Sequence, residues 1–166
     1  KLTNSGKIYV HGTLSGSAVG EVYYPLFLTN CTANTSPNTS HYKGNYYAAK
    51  GATVKLTATI PNPSNQFVRS WVADPQVGTG GGNYYDISSM PANAVTVKAN
   101  IEDALTINTQ PQDVTITYGE QTTLSVDVSR NSFISGSFLL SYQWYENDAE
   151  ISGANSNSYP PPTDLP

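Results

Sequence analysis

Gly51 to Trp71 reads GATVKLTATIPNPSNQFVRSW. Val54, Leu56, Ala58 and Ile60 alternate with Lys55, Thr57 and Thr59, so an extended chain here has one apolar and one polar face. That is the pattern of a half-buried strand. Pro61, Asn62 and Pro63 end it, because proline fixes φ and offers no ladder donor, and Phe67 and Trp71 follow as two large anchors for the same core. The neighbouring stretches, from Lys7 up to Asp103, read as wrapping around this unit.

Working toward the N-terminus, Tyr42 to Tyr47 is extended, and the preceding TNCTANTSPNTSH (Thr29 to His41) reads as an exposed loop of turn formers. Val19 to Leu28 is extended again, with Pro25 marking an edge, a bulge or a break. Lys7 to Leu14 reads as the first strand. On the C-terminal side, Ala73 to Asn83, with Pro75 and the glycines at 78 and 80 to 82, reads as a flexible connection. Tyr84 to Ser89 is extended. Val95, Val97, Ala99 and Ile101 then repeat the half-buried alternation, with the Met90 to Asn93 turn setting its register.

The 166 residues suffice for one ordinary domain or two small ones. Only 12% of them are charged, about half the share near 25% usual in globular domains. Ser, Thr, Asn, Gln and Tyr must therefore solubilise the surface, as is common in secreted proteins. A net charge of −4, with eight scattered Lys and Arg, gives no footprint for a phosphate backbone or an anionic membrane, so no nucleic acid is expected as a partner. Apolar runs fall far short of the ~20 residues that span a bilayer, and no membrane insertion is expected within this segment. Lys1 opens no signal-peptide pattern, so the chain reads as mature or as an excised fragment. Cys31 is the one cysteine, which excludes an internal disulfide and a multi-cysteine zinc site and reads as a small buried hydrophobe.

Catalysis needs a nucleophile beside a base, two carboxylates aimed at one point, or a metal. None is legible: His11 and His41 stand in no ligand spacing, no GxSxG elbow occurs, and the glycine run lacks the Lys-Ser or Lys-Thr of a phosphate loop. No enzyme activity, catalytic residue, metal or cofactor is expected. The most suggestive feature is three tyrosine pairs, Tyr23-Tyr24, Tyr46-Tyr47 and Tyr84-Tyr85. Adjacent strand residues face opposite sides, so each pair should turn one ring outward. Taking Tyr24, Tyr47 and Tyr85 as the outward set makes them a candidate ligand-binding platform that stacks on sugar rings or on a protein partner. The competing reading is that these rings cover core edges of a low-charge surface.

GATVKLTATIP, then Phe67 and Trp71, then ISSMPANAVTVKANI resembles the internalin-type B repeat, a Gly-x-x-Val strand, an aromatic before a Trp, and a MetPro strand. The resemblance covers about residues 7–103 and implies a small all-β unit, β-grasp-like or sandwich-like, strung in tandem on bacterial surface proteins. Glu102-Asp103-Ala104 marks the domain boundary. Beyond it, QPQDVTITYGEQTTLSVDVS and LSYQWYENDAEISGANSNSY resemble a bacterial immunoglobulin-like domain, with Val114, Ile116 and Tyr118, then Leu124, Val126 and Val128, then Leu140, Tyr142 and Trp144 as inward rows and Trp144 as the core tryptophan. After Tyr159 only PPPTDLP remains, so this sandwich is expected to lack its last two strands. Together these imply an all-β chain of two domains, 1–103 and 104–166. The expected role is an extracellular, non-catalytic spacer or adhesion module of a bacterial surface or secreted protein. The alternative is a carbohydrate-binding accessory region of a glycan-active one. Its partners would be neighbouring repeats of the parent chain and a host or cell-wall glycan or protein ligand. Such modules sometimes carry a Lys to Asn isopeptide bond, for which Lys50, Lys55 and Lys98 are the candidate lysines.

Overall fold

A computed structural model describes residues 3–11, 19–34, 39–134 and 140–162. The fold is all-β, with no helix among the described residues. The chain divides into two compact units, Lys1–Glu102 and Asp103–Pro166.

Unit 1 contains β1 (Thr3–Tyr9), β2 (Val19–Thr29), β3 (Cys31–Ala33), β4 (Thr39–Tyr42), β5 (Asn45–Ala49), β6 (Val54–Ala58), β7 (Gln66–Asp74), β8 (Thr79–Gly81), β9 (Tyr84–Ile87) and β10 (Val95–Asp103). One sheet has the order β4-β5-β2-β10-β7, with β1 also on β2, and the other has the order β3-β6-β9-β8. Their facing sides share a single core that includes Tyr24, Leu26, Val95 and Val97 from the first sheet and Val54, Leu56, Tyr85 and Ile87 from the second. The alternation in the Gly51 to Trp71 stretch thus marks a central strand, with Val54 and Leu56 fully buried and Lys55 exposed.

β2 organises the first sheet. Tyr23 pairs with Tyr9 on one side and Ala49 on the other, and Leu26 pairs with Val95 and Tyr46. A strand has two edges and β5 holds one of them from Tyr23 to Leu26, so β1, which meets it at Tyr23, and β10, which meets it at Leu26, share the other, β1 along the first half and β10 along the second. Both run parallel to β2. Pro25 does not break the strand. The Tyr23 carbonyl accepts from Val10 N on the β1 edge and the Val22 carbonyl from Lys50 N on the β5 edge, so by alternation position 25 addresses the edge shared by β1 and β10. Its missing donor falls in the gap between the last β1 pairing, at Tyr23, and the first β10 pairing, at Leu26.

Several sequence expectations are corrected. The first strand ends at Tyr9, and residues 12–14 lie outside the described ones. The Thr29 to His41 stretch is no simple loop: Cys31 and Ala33 are buried on β3, and Thr39 opens β4. Asn30, at φ 55°, turns the chain from one sheet into the other, while its side-chain amide donates to the Ala99 carbonyl at 3.1 Å. Asn tolerates this conformation, so a composition of turn formers conceals a strand-to-strand crossing. The tyrosine-rich Tyr42 to Tyr47 piece is a hairpin turning at Lys43 and Gly44, both at positive φ.

The glycine run is likewise not a flexible connection, because β8 pairs with β9 there. A Cβ on Gly80 would lie 2.6 Å from the Trp71 ring, so glycine is what lets the indole lie flat on the strand. Trp71 packs against Tyr85 at 5.6 Å and donates its indole N–H to the Gly82 carbonyl at 3.0 Å. Phe67, the other expected anchor, is half-buried and outside the core cluster.

Unit 2 contains β11 (Leu105–Thr109), β12 (Leu124–Ser125), β13 (Asp127–Arg130), β14 (Tyr145–Glu146), β15 (Ala149–Glu150) and β16 (Ser158–Tyr159). They form three two-stranded ladders, β11 with β13, β12 with β16 and β14 with β15. No described hydrophobic residue beyond Ala99 is buried. Val114 and Tyr118 stand exposed outside any strand, and so does Leu140, whereas Ile116, Tyr142 and Trp144 are half-buried, so two of the expected rows turn only part of their residues inward. Trp144 is half-buried, stacks on Tyr159 at 5.9 Å and donates its indole N–H to the Ser156 carbonyl at 2.9 Å.

Candidate functional site

Adjacent positions on a strand face opposite sides, but an outward face is exposed only if nothing covers it. Tyr23 is 0% exposed and Tyr24 8%, Tyr47 is 2% exposed and Tyr85 1%. Tyr24, Tyr47 and Tyr85 are therefore buried, and the platform expected from them does not form.

The physical reason differs from pair to pair. Tyr24 shares the core face of β2 with Leu26 and pairs with Ala48. Tyr47 lies on the opposite face of its sheet, which curls over itself. Tyr9 and Tyr42 stand three strand steps apart in the order β1, β2, β5, β4 and four residues apart along the strands, which in a flat sheet is roughly 19 Å. Their rings nevertheless stack at 4.5 Å and 3°. That concave face closes on a tyrosine cluster in which Tyr9 also meets Tyr23 at 5.6 Å and Tyr47 at 5.1 Å.

The polar tips of Tyr9, Tyr23 and Tyr47 are engaged. Tyr23 donates to Glu21 Oε2 at 2.9 Å, Tyr47 Oη lies 3.0 Å from His11 Nδ1, and Tyr9 Oη lies 2.8 Å from Ser40 Oγ. The Lys7 ammonium sits 4.8 Å over the Tyr23 ring. Burial raises the Tyr23 phenol above its ordinary range, and the Glu21 bond acts in the same direction.

On β9 the phase is the reverse of the expected one. Tyr85 faces Leu56 across the strands and enters the core with Ile87, while Tyr84 turns out and is 48% exposed. The signal was in the sequence, since Ile87 two residues on must share the face of Tyr85. Tyr84 is the residue that the sequence reading missed. Its cross-strand neighbours are Thr57 and Gly81, and one step along lie Lys55, Asp86 and Thr79. The Lys55 ammonium sits 4.4 Å over the Tyr84 ring. Beside it a Cβ at Gly81 would meet nothing within 4 Å, so the ring stands next to an open step in the strand surface. An aromatic ring with an ammonium over it, a carboxylate and two threonine hydroxyls on one sheet face are groups that can contact and hydrogen-bond a sugar.

The remaining candidates are held by neighbouring side chains or buried. His11 is held against Tyr47, and His41 packs on Tyr46 at 4.8 Å. No His, Cys, Asp and Glu group suited to a metal ion occurs among the described residues. Cys31 is buried, its Sγ donates to the Val97 carbonyl at 3.7 Å, and burial pushes its thiol upward. Lys50, Lys55 and Lys98 are all exposed, which does not suit an internal isopeptide bond. Unit 2 has a shallow cavity of about 160 Å³ lined by Leu124, Trp144, Tyr145, Ile151 and Tyr159. No helix among the described residues is long and apolar enough to cross a membrane. No family model matches the chain, and neither a curated protein nor a solved structure does.

Proposed function

We propose that the chain is a non-catalytic extracellular module of a bacterial cell-surface or secreted protein, acting as a spacer or adhesion domain. The observation that carries this reading is the path of the chain through unit 1. β1 lies beside the start of β2 and β10 beside its end, all three pointing the same way, so the chain enters at one end of the unit and leaves at the other. A module threaded in this manner can be strung in line with its neighbours. The internalin-type and immunoglobulin-like resemblances of the two halves support the same reading.

A second reading, a carbohydrate-binding accessory region, is favoured by the Tyr84 face. The two are separated by titrating the full chain and its Tyr84→Ala variant against cell-wall and mucin-type glycans, with calorimetry as the readout. Saturable binding that Tyr84→Ala abolishes supports the second reading. The spacer reading expects no saturable binding to any of these glycans.

A further inference from the structure

We propose that unit 1 is built to carry tension along its strands between the start of β1 and the end of β10. The inference rests on the spacer reading and adds a mechanical function to it. Thr3 pairs with Val19 at the start of β2, and Lys98 pairs with Thr29 at its end, after which β10 continues to Asp103. At about 3.3 Å per residue these two ends lie roughly 50 Å apart along the strand axis.

A pull on them drags β1 backward and β10 forward relative to β2. The force passes from β1 into β2 and from β2 into β10, and at both junctions it runs along the strands and across their hydrogen bonds. In that direction the bonds of a ladder share the strain and must yield together, and at the β1 junction these are the bonds of the regular stretch from Lys7 to Tyr9, beyond the irregularity that follows Thr3. A pull across the strands would instead open them one after another. The gap at Pro25 separates the two junctions, so the missing donor there weakens neither ladder. Both junctions are backed by buried side chains: Val10 closes the β1 ladder with a 2.9 Å bond to the Tyr23 carbonyl, and Val95 and Val97 are fully buried beside Leu26 and Leu28.

The test is single-molecule force spectroscopy on the full chain along two axes. One axis runs from a handle at the N-terminus to one at Asp103→Cys. The other runs from Lys43→Cys, at the tip of the β4–β5 hairpin, to Lys98→Cys, which the strand register places nearly level with it across the sheet, and peels strands sideways. The expected result is a rupture force roughly twofold or more higher on the first axis, since forced unfolding reports the barrier along the pulled direction. That rupture should release roughly 300 Å of chain. Equal forces on the two axes, or a lower force on the first, would overturn the inference.

Ile8→Pro sharpens the test. Val10 N points at β2, so by the two-residue period Ile8 N does too, and proline removes that donor. The variant should lower the force on the first axis and leave the second unchanged, and an unchanged first axis would place the force path elsewhere. The two axes decide the matter without this substitution. Weak resistance on the first axis with no glycan binding overturns tension and leaves spacing intact, whereas saturable glycan binding overturns the spacer reading at any force.

Discussion

Units 1 and 2 carry the same kind of sequence and have different interiors. Both have apolar residues at every second position, as in Val54, Leu56 and Ala58 or Leu124, Val126 and Val128. In the first unit such rows meet a second sheet, and Val54 and Leu56 disappear from solvent. In the second the corresponding row remains half-buried, and Ile107, Phe133 and Tyr145 stand exposed. Alternation supplies a face, and burial needs another layer opposite it. Two-stranded ladders alone are marginal in water, so the six short strands of unit 2 hold their geometry with far less apolar burial.

This contrast can be broken most directly in the core of unit 1. Tyr85→Ala should cost about 3–5 kcal/mol by urea denaturation, since it empties a fully buried ring site. A cost below about 1 kcal/mol would mean that the two units are alike. Gly80→Ala should cost about 1–3 kcal/mol and shift Trp71 fluorescence, because the new methyl group overlaps the indole. An unchanged spectrum would show that Trp71 does not lie on that strand.

The counterpart in unit 2, Trp144→Ala, should cost only about 1 kcal/mol, the scale of one hydrogen bond and one ring contact at a half-exposed site. A loss as large as that of Tyr85→Ala would reveal a core that the burial pattern does not show. Amide exchange gives the same comparison without substitution. Backbone amides of β6 and β10 should be protected well beyond those of β12 and β14, and comparable protection would contradict the difference.

The smallest effect is in pH. Burial raises Tyr23, Tyr85 and Cys31 above their ordinary values, so the folded state favours their protonated forms. Their contribution is fully present below the unfolded-state values and is lost as pH rises through the folded ones. Denaturation followed from pH 8 upward should therefore show stability falling on the alkaline side, above about pH 9 to 10. Stability that holds flat across that range would argue against burial of these groups.

Much of unit 1 is legible in the sequence because local alternation determines it. Val54 to Ala58 and Val95 to Ala99 place their apolar residues on one side by geometry alone. The candidate site was less legible. Burial of Tyr24 depends on which face of β2 meets the second sheet, and burial of Tyr47 on the curl that brings Tyr9 onto Tyr42 across three strand steps. Neither is a local property. The phase of Tyr84 and Tyr85 was local, carried by Ile87, and it places Tyr84 in solvent.

The sequence by itself determined that this chain is all-β, since runs of period two with Gly, Pro and Asn between them admit little else. It also left few charges for the surface and a large stock of tyrosine. Only the tertiary structure decided which tyrosines the core would take, that Thr79 to Gly81 would form a strand beneath Trp71, and that β1 and β10 would lie end to end along β2. The physical reason is the same in each case. A strand has two faces and two edges, and what covers them comes from residues distant in the chain.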